Sequence, residues 1–310
     1  MRKKIGIFGA GNVGASLGQL IVFTGVADLA LVDVIEGLAE GKALDLSEAR
    51  PVYGSDVRVI GGTDPAIIQD ADLVVLTAGI TRKPGMSREE LLETNARIVG
   101  RCAEAVKKYA RNAFVIVVSN PLDTMTYVVA EKTGFSKNRV MGMAGVLDSA
   151  RFRYFLSEAL GASVKDIQAV VLGGHGDEMV PLLSYATWQG EKVEKLIPSE
   201  ALSKIIERTK NAGAEIVSKL KTSAFYSPSA SVFEMIKTIF NDEKRVLPCS
   251  AWLNGEYGVT GLYVGVPVIL GKGGVEKILE LELTDKEKEL FEKSVQAVRL
   301  SVEKLKGLKV

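Results

Sequence analysis

The chain has 310 residues, enough for two domains with a sizeable core, and its 47% hydrophobic and 25% charged residues are ordinary globular composition. Lys plus Arg (39) and Asp plus Glu (38) nearly balance, so a net charge of +1 offers no general basic field for nucleic acid. Two distant cysteines, Cys102 and Cys249, and a single histidine, His175, exclude a disulfide framework and His- or Cys-rich metal sites, so no metal is expected.

Residues 5–27 carry no charge, but Gly6, Gly9, Gly11, Gly14, Gly18 and Gly25 break the run. They argue against a signal peptide or a membrane span, and for a strand, a glycine-rich turn and a buried helix. The expectation is a cytoplasmic protein without membrane contact. Apolar runs at 4–8, 29–33, 57–61, 73–77, 114–118 and 139–142 predict strands. Helical patterns at about 12–25, 37–49 (ending before Pro51), 88–110 and 121–133 lie between them. Strands alternating with helices predict an α/β fold, a Rossmann-type doubly wound parallel sheet covered on both faces. The alternation stops near residue 143. From there the pattern is a helix at about 147–161, an apolar run at 168–174 and amphipathic stretches at about 198–220 and 229–240. Apolar strands near 246–252 and 259–271 and a charged helix at 284–306 complete it. Residues 1–143 and 144–310 are therefore read as two domains, the first α/β and the second α+β, packed tightly together.

Gly9-Ala10-Gly11-Asn12-Val13-Gly14 fits G-x-G-x-x-G, a weak signal alone. Here it follows an apolar strand and opens a helix, and Asp33 stands at the end of the next strand. Gly9 permits the tight turn, Gly11 lets backbone approach a pyrophosphate, and Gly14 lets helix meet strand. The helix N-terminus attracts phosphate. Asp33 accepts from ribose hydroxyls and repels a 2′-phosphate, which favours NAD over NADP. A mononucleotide or S-adenosylmethionine is the alternative.

His175 lies in Leu172-Gly173-Gly174-His175-Gly176-Asp177, after an apolar run. A turn or core histidine is the plain alternative. The flanking glycines instead suggest room for a ligand beside an imidazole able to take and return a hydroxyl proton. Such a ring needs an orienting carboxylate, and Asp148 is the candidate. Arg151, one helical turn on, can grip a substrate carboxylate. A local ion pair remains the alternative for that couple.

GAGNVG at 9–14, VD at 32–33, TAGITRKPGMSR at 77–88, VSNP at 118–121, MAGVLDSARFR at 143–153 and GGHGDEMVPL at 173–182 together resemble the lactate/malate dehydrogenase family along essentially the whole chain. The resemblance implies reversible hydride transfer between NAD and a 2-hydroxy acid. It implies His175 as proton acceptor and donor, Asp148 as its partner, and Arg151 as clamp on the C1 carboxylate. It also implies Asn120 touching substrate and cofactor, and Asn95 and Val118 beside the nicotinamide. Arg88 matches the arginine that polarises the carbonyl, within a loop, 79–88, that closes over the substrate. Arg82 matches the position that reads the rest of the substrate, where lactate-specific members carry Gln. A cation there asks for a second carboxylate, hence malate or oxaloacetate; a lactate or broad-specificity 2-hydroxy acid dehydrogenase is the alternative. The small residues of Ser223–Ser231 resemble a pocket wall of the same type. The resemblance further implies a place in the tricarboxylic acid cycle and a homo-oligomer, a tetramer in preference to a dimer.

Overall fold

The computed structural model describes residues 2–81 and 86–308, the side chain of Arg88 excepted. In the first half, β1 (Lys4–Phe8), β2 (Asp28–Val32), β3 (Val59–Gly62), β4 (Leu73–Leu76), β5 (Phe114–Val117) and β6 (Val140–Gly142) alternate with α1 (Asn12–Thr24), α2 (Leu38–Tyr53), α3 (Arg88–Tyr109) and α4 (Leu122–Thr133). The strands pair in parallel in the order β3-β2-β1-β4-β5-β6. Side chains on a strand alternate between faces, so the complete burial of β4 means that both faces are covered. Ile5 and Ile7 pack with Leu17 and Ile21 of α1 on one face; Phe8, Val74 and Leu76 pack with Ala96 and Val99 of α3 on the other.

Local chemistry sets the helix ends. Ser87 and Glu90 form a reciprocal capping box at the start of α3, and Lys107 and Lys108 lie in its last turn, where the helix dipole favours cations. The stop expected before Pro51 is corrected: α2 runs through Pro51 to Tyr53. The proline removes a bond to Ser47 only in the final turn. The end is closed beyond it, where Gly54 and Ser55 N–H both donate to the Arg50 carbonyl.

In the second half come α5 (Gly145–Leu160), β7 (Ile167–Gln168), β8 (Val171–Leu172), β9 (Val180–Pro181), β10 (Thr187–Trp188), β11 (Glu191–Lys192), α6 (Ser199–Leu220), α7 (Tyr226–Phe240), β12 (Arg245–Asn254), β13 (Thr260–Gly271), β14 (Gly274–Ile278) and α8 (Asp285–Gly307). The apolar run at 168–174 is split because it changes partners midway: β7 pairs β10, whereas β8 pairs β9. Helix α7 starts at Tyr226, ahead of the expected 229, since Pro228 fits a first turn where its missing N–H is not needed. The β14 strand was not anticipated. Strands β12–β14 continue the parallel sheet antiparallel, through the pairing of Ser250 with Gly142. This addition covers the β6 edge and makes one sheet of strands from both halves.

The first half's order reverses between β1 and β4. In open α/β sheets ligands bind outside the carboxyl ends of the strands at such a point. Gly9 and Thr77 follow those two strands directly.

Candidate active site

The turn after β1 is built for close approach. Gly9 has φ +100°, and a Cβ there would lie 2.6 Å from Thr77 Oγ1. A Cβ on Gly14 would lie 1.9 Å from the Gly9 carbonyl oxygen, so only glycine lets α1 start so near the strand. A Cβ on Gly11 would meet nothing within 4 Å, which leaves the space above the turn open. No side chain caps α1 and no acidic residue lies in its first turn, so the amides of Asn12 and Val13 head an uncapped, positive helix end. Asp33 accepts from Ala10 N–H at 2.7 Å and from Ile35 N–H at 3.0 Å. Its carboxylate is thereby fixed beside the turn, with lone pairs to spare for hydroxyl groups.

Helix α5 and the turn after β8 meet across this crevice. His175 Nδ1 lies 2.8 Å from Asp148 Oδ2. A carboxylate only accepts, so Nδ1 carries the proton and Nε2 of the neutral ring is the free acceptor. Asp148 is 2% exposed, while the His175 side chain keeps 18%. Arg151 Nη1 stands 3.4 Å from Asp148 Oδ1, and its Nε is buried with no partner among the described residues. Burial alone would push the imidazole pKa down; the Asp148 charge and hydrogen bond more than offset it, and the net shift is upward. Burial lowers the Arg151 pKa, opposed by Asp148.

A cavity of about 350 Å³ collects these groups. His175, Arg151, Asn120, Val118 and Asn95 all line it, together with Val13 of the glycine turn. Asn95, 1% exposed, is a brace. Its Oδ1 accepts from Ile80 N–H at 2.8 Å and its Nδ2 donates to the Asn120 carbonyl at 2.7 Å, joining the two loops at the switch point. Ser223, Ala224 and Pro228 form part of the wall, whereas Ser229 turns away and donates to the Val13 carbonyl at 2.8 Å. Arg82 lies outside the described residues. So does the side chain of Arg88, whose backbone opens α3.

One expectation is corrected. Gly173 and Gly174 do not clear space for a ligand. A Cβ on Gly173 would lie 2.5 Å from Ser294 Oγ and one on Gly174 2.6 Å from Val298 Cγ2, so these glycines let α8 approach. Only Gly176 of the three faces open space. The sequence reading also missed Asp123, 5% exposed, which accepts from the His175 backbone N–H at 2.8 Å. An acidic residue just after Asn120-Pro121 reads as an ordinary helix-start carboxylate. Gly213 of α6, opposite Arg151, was missed for a similar reason: a lone helix glycine carries no signal.

Residues 3–142 match the family model for the lactate/malate dehydrogenase NAD binding domain, and residues 145–308 that for the lactate/malate dehydrogenase alpha/beta C-terminal domain. Malate dehydrogenase 1 of Anaeromyxobacter dehalogenans is 54% identical over 98% of this chain and 99% of its own length. A malate dehydrogenase of Heliobacterium modesticaldum is 50% identical over 96% of this chain and 97% of its own. The crystal structure of Cryptosporidium parvum malate dehydrogenase superposes with a TM-score of 0.96 at 46% identity, covering 99% of this chain and 100% of that one. The lactate dehydrogenase of the same organism, in complex with lactic acid and NAD, gives a TM-score of 0.96 at 41% identity, covering 99% of each chain. With both halves matched and near-full-length relatives at 50% and 54% identity, this chain belongs to the lactate/malate dehydrogenase family.

Proposed function

We propose that this chain is an NAD-dependent malate dehydrogenase, interconverting (S)-malate and oxaloacetate. The observation that carries the reading is the His175 ring, held at Nδ1 by Asp148 and lining one cavity with Arg151 at the sheet's switch point. Similarity to relatives named malate dehydrogenase supports the choice of substrate.

The residues present fit NAD. Gly9, Ala10, Gly11, Asn12, Val13 and Gly14 form an open cradle at a helix N-terminus suited to a pyrophosphate. Asp33 would hold the ribose hydroxyls and repel a 2′-phosphate. Asn95, Val118 and Asn120 would border the nicotinamide end. Bound NAD supplies the hydride acceptor in malate oxidation.

Arg151 orients one substrate carboxylate, and Arg82 takes the other. Neutral His175 accepts the hydroxyl proton at Nε2. Asp148 balances the imidazolium that results, and Arg88 and Asn120 stabilise charge on the substrate oxygen. In the reverse direction protonated His175 returns the proton. A His175→Asn variant is expected to bind NADH and lose nearly all turnover; retained turnover refutes the assignment.

A lactate or broad-specificity 2-hydroxy acid dehydrogenase is the second reading. The TM-score of the lactate dehydrogenase equals that of the malate dehydrogenase, so backbone similarity does not separate the two specificities. The reading also places the enzyme in the cytoplasm and in the tricarboxylic acid cycle. Cys102 and Cys249 form no disulfide, as a reducing compartment requires. Among the described residues no helix is long and apolar enough to cross a membrane. A homotetramer is preferred over a dimer, supported by exposed Leu44 and Val52 on α2 and Val217 and Leu220 on α6. Sedimentation equilibrium tests the stoichiometry; a monomer contradicts it.

A further inference from the structure

Asp123 sits in the first turn of α4, directly after the Asn120 loop. Its Oδ2 accepts from the His175 backbone N–H at 2.8 Å, and its Oδ1 from the Ser250 hydroxyl of β12 at 2.6 Å. The amide can only donate, so Oδ2 must present a lone pair, and Ser250 offers a proton to the other oxygen. The adjoining amide of Gly174 donates to Ser294 Oγ of α8 at 2.9 Å, and that of Gly173 to the Gly265 carbonyl of β13 at 2.8 Å. Three elements thus pin the turn that carries the imidazole, and the contact nearest the ring comes from a carboxylate. A Cβ on Gly174 would lie 3.3 Å from Asp123 Oδ2, so this glycine lets the acid reach the backbone.

We propose that Asp123, as a carboxylate, is a positioning residue for His175: it fixes the backbone from which the imidazole projects and sets a second acidic group, besides Asp148, near the ring. This rests on His175 being the proton donor and acceptor of the reaction. Among the described residues, the charged groups around the ring are Asp148 and Arg151 on α5 and Asp123 on α4. Glu89 of α3, Asp177 and Glu178 of the same turn, and Lys304 of α8 border the groove behind it. Burial raises the Asp123 pKa, and the Ser250 hydroxyl and the His175 amide offset this only in part, so the net shift is upward. Asn at this position keeps the shape: its carbonyl can accept from the amide and its NH₂ can face Ser250, whose oxygen also accepts. Asp123→Asn therefore removes charge with little change of packing, while Asp123→Ala removes both.

The test measures oxaloacetate reduction against pH for the parent, Asp123→Asn, Asp123→Ala and Ser250→Ala, with NADH affinity from fluorescence titration. Reduction needs protonated His175, so its alkaline limb marks the imidazole pKa. In Asp123→Asn that limb should move to lower pH by about half a unit or more, with NADH affinity within about twofold of the parent. Asp123→Ala should lose about 10-fold or more in kcat, with Asn restoring part of it at the acid end, and Ser250→Ala should shift the limb in the same direction by less. If the alanine variant does not fold, the asparagine profile decides. A profile of Asp123→Asn that superimposes on the parent's overturns the proposal. A parent that reduces pyruvate and not oxaloacetate would instead overturn the substrate reading, and the same profiles taken on pyruvate would still decide the role of Asp123.

Discussion

Nδ1 of His175 lies 2.8 Å from Oδ2 of Asp148, a carboxylate almost closed to solvent. The contact selects one tautomer and aims the other ring nitrogen toward the cavity. Asp148→Asn keeps the shape of the partner and removes its charge. It should lower kcat by about 10²-fold or more while NADH still binds. Stopped-flow turnover together with a binding titration checks this, and a kcat within about threefold of the parent would contradict it.

The upward shift of the His175 pKa has a signed consequence. Burial opposes the charged ring and Asp148 favours it more strongly, so protonation persists above the ordinary value of 6.5. Oxaloacetate reduction should therefore fall as pH rises through a pKa above 6.5, and malate oxidation should rise through the same region. For stability, a pKa raised on folding stabilises fully below the unfolded value and is lost as pH rises through the folded one. Removing Asp148 should bring the alkaline limb of reduction to lower pH. A parent limb centred below 6.5 would count against the shift.

The glycine turn separates binding from folding. A methyl at Gly11 meets no atom within 4 Å, so Gly11→Ala should leave Tm nearly unchanged yet weaken NADH binding by about 10-fold or more. A methyl at Gly14 collides with the Gly9 carbonyl at 1.9 Å, so Gly14→Ala should cost about 1–3 kcal/mol of stability as well. Thermal melts with and without NADH distinguish the two. An equal loss of Tm in both variants would contradict the assignment of open space above Gly11.

Arg151 presents its guanidinium to the cavity from the helix that also carries Asp148. Arg151→Lys keeps the charge and loses the planar fork, so KM for oxaloacetate should rise about 10-fold or more with KM for NADH little changed. Steady-state kinetics checks it; an unchanged oxaloacetate KM removes Arg151 from the substrate site.

Periodicity made the first half of the fold legible, because strands buried on both faces read as unbroken apolar runs, as in β4 and β5. Pro51 misled because proline's cost depends on where in the helix it falls, and the last turn hides it. The continuation of the sheet through Ser250 and Gly142 was not legible, since pairing between distant segments leaves no local mark. In the site, G-x-G-x-x-G and its acidic partner carry their geometry in their spacing. The glycines beside His175 had a second use that spacing could not show: Gly173 and Gly174 admit a helix from more than a hundred residues away. Asp123 stayed hidden for the same reason, since its partners, the His175 amide and the Ser250 hydroxyl, lie far from it in the sequence.

We propose that Arg82 carries the choice of a diacid over a monoacid. A charge-assisted hydrogen bond is worth about 1.5–3 kcal/mol, and an unpaired buried guanidinium adds a penalty of similar size, which together support about 10³-fold discrimination. Arg82→Gln should cut oxaloacetate reduction by orders of magnitude and raise pyruvate reduction relative to it. The ratio of kcat/KM for oxaloacetate to that for pyruvate, with NADH in the unaltered protein, tests the account most directly. A ratio of about 10³ or more is predicted; a ratio near one, or one favouring pyruvate, contradicts it.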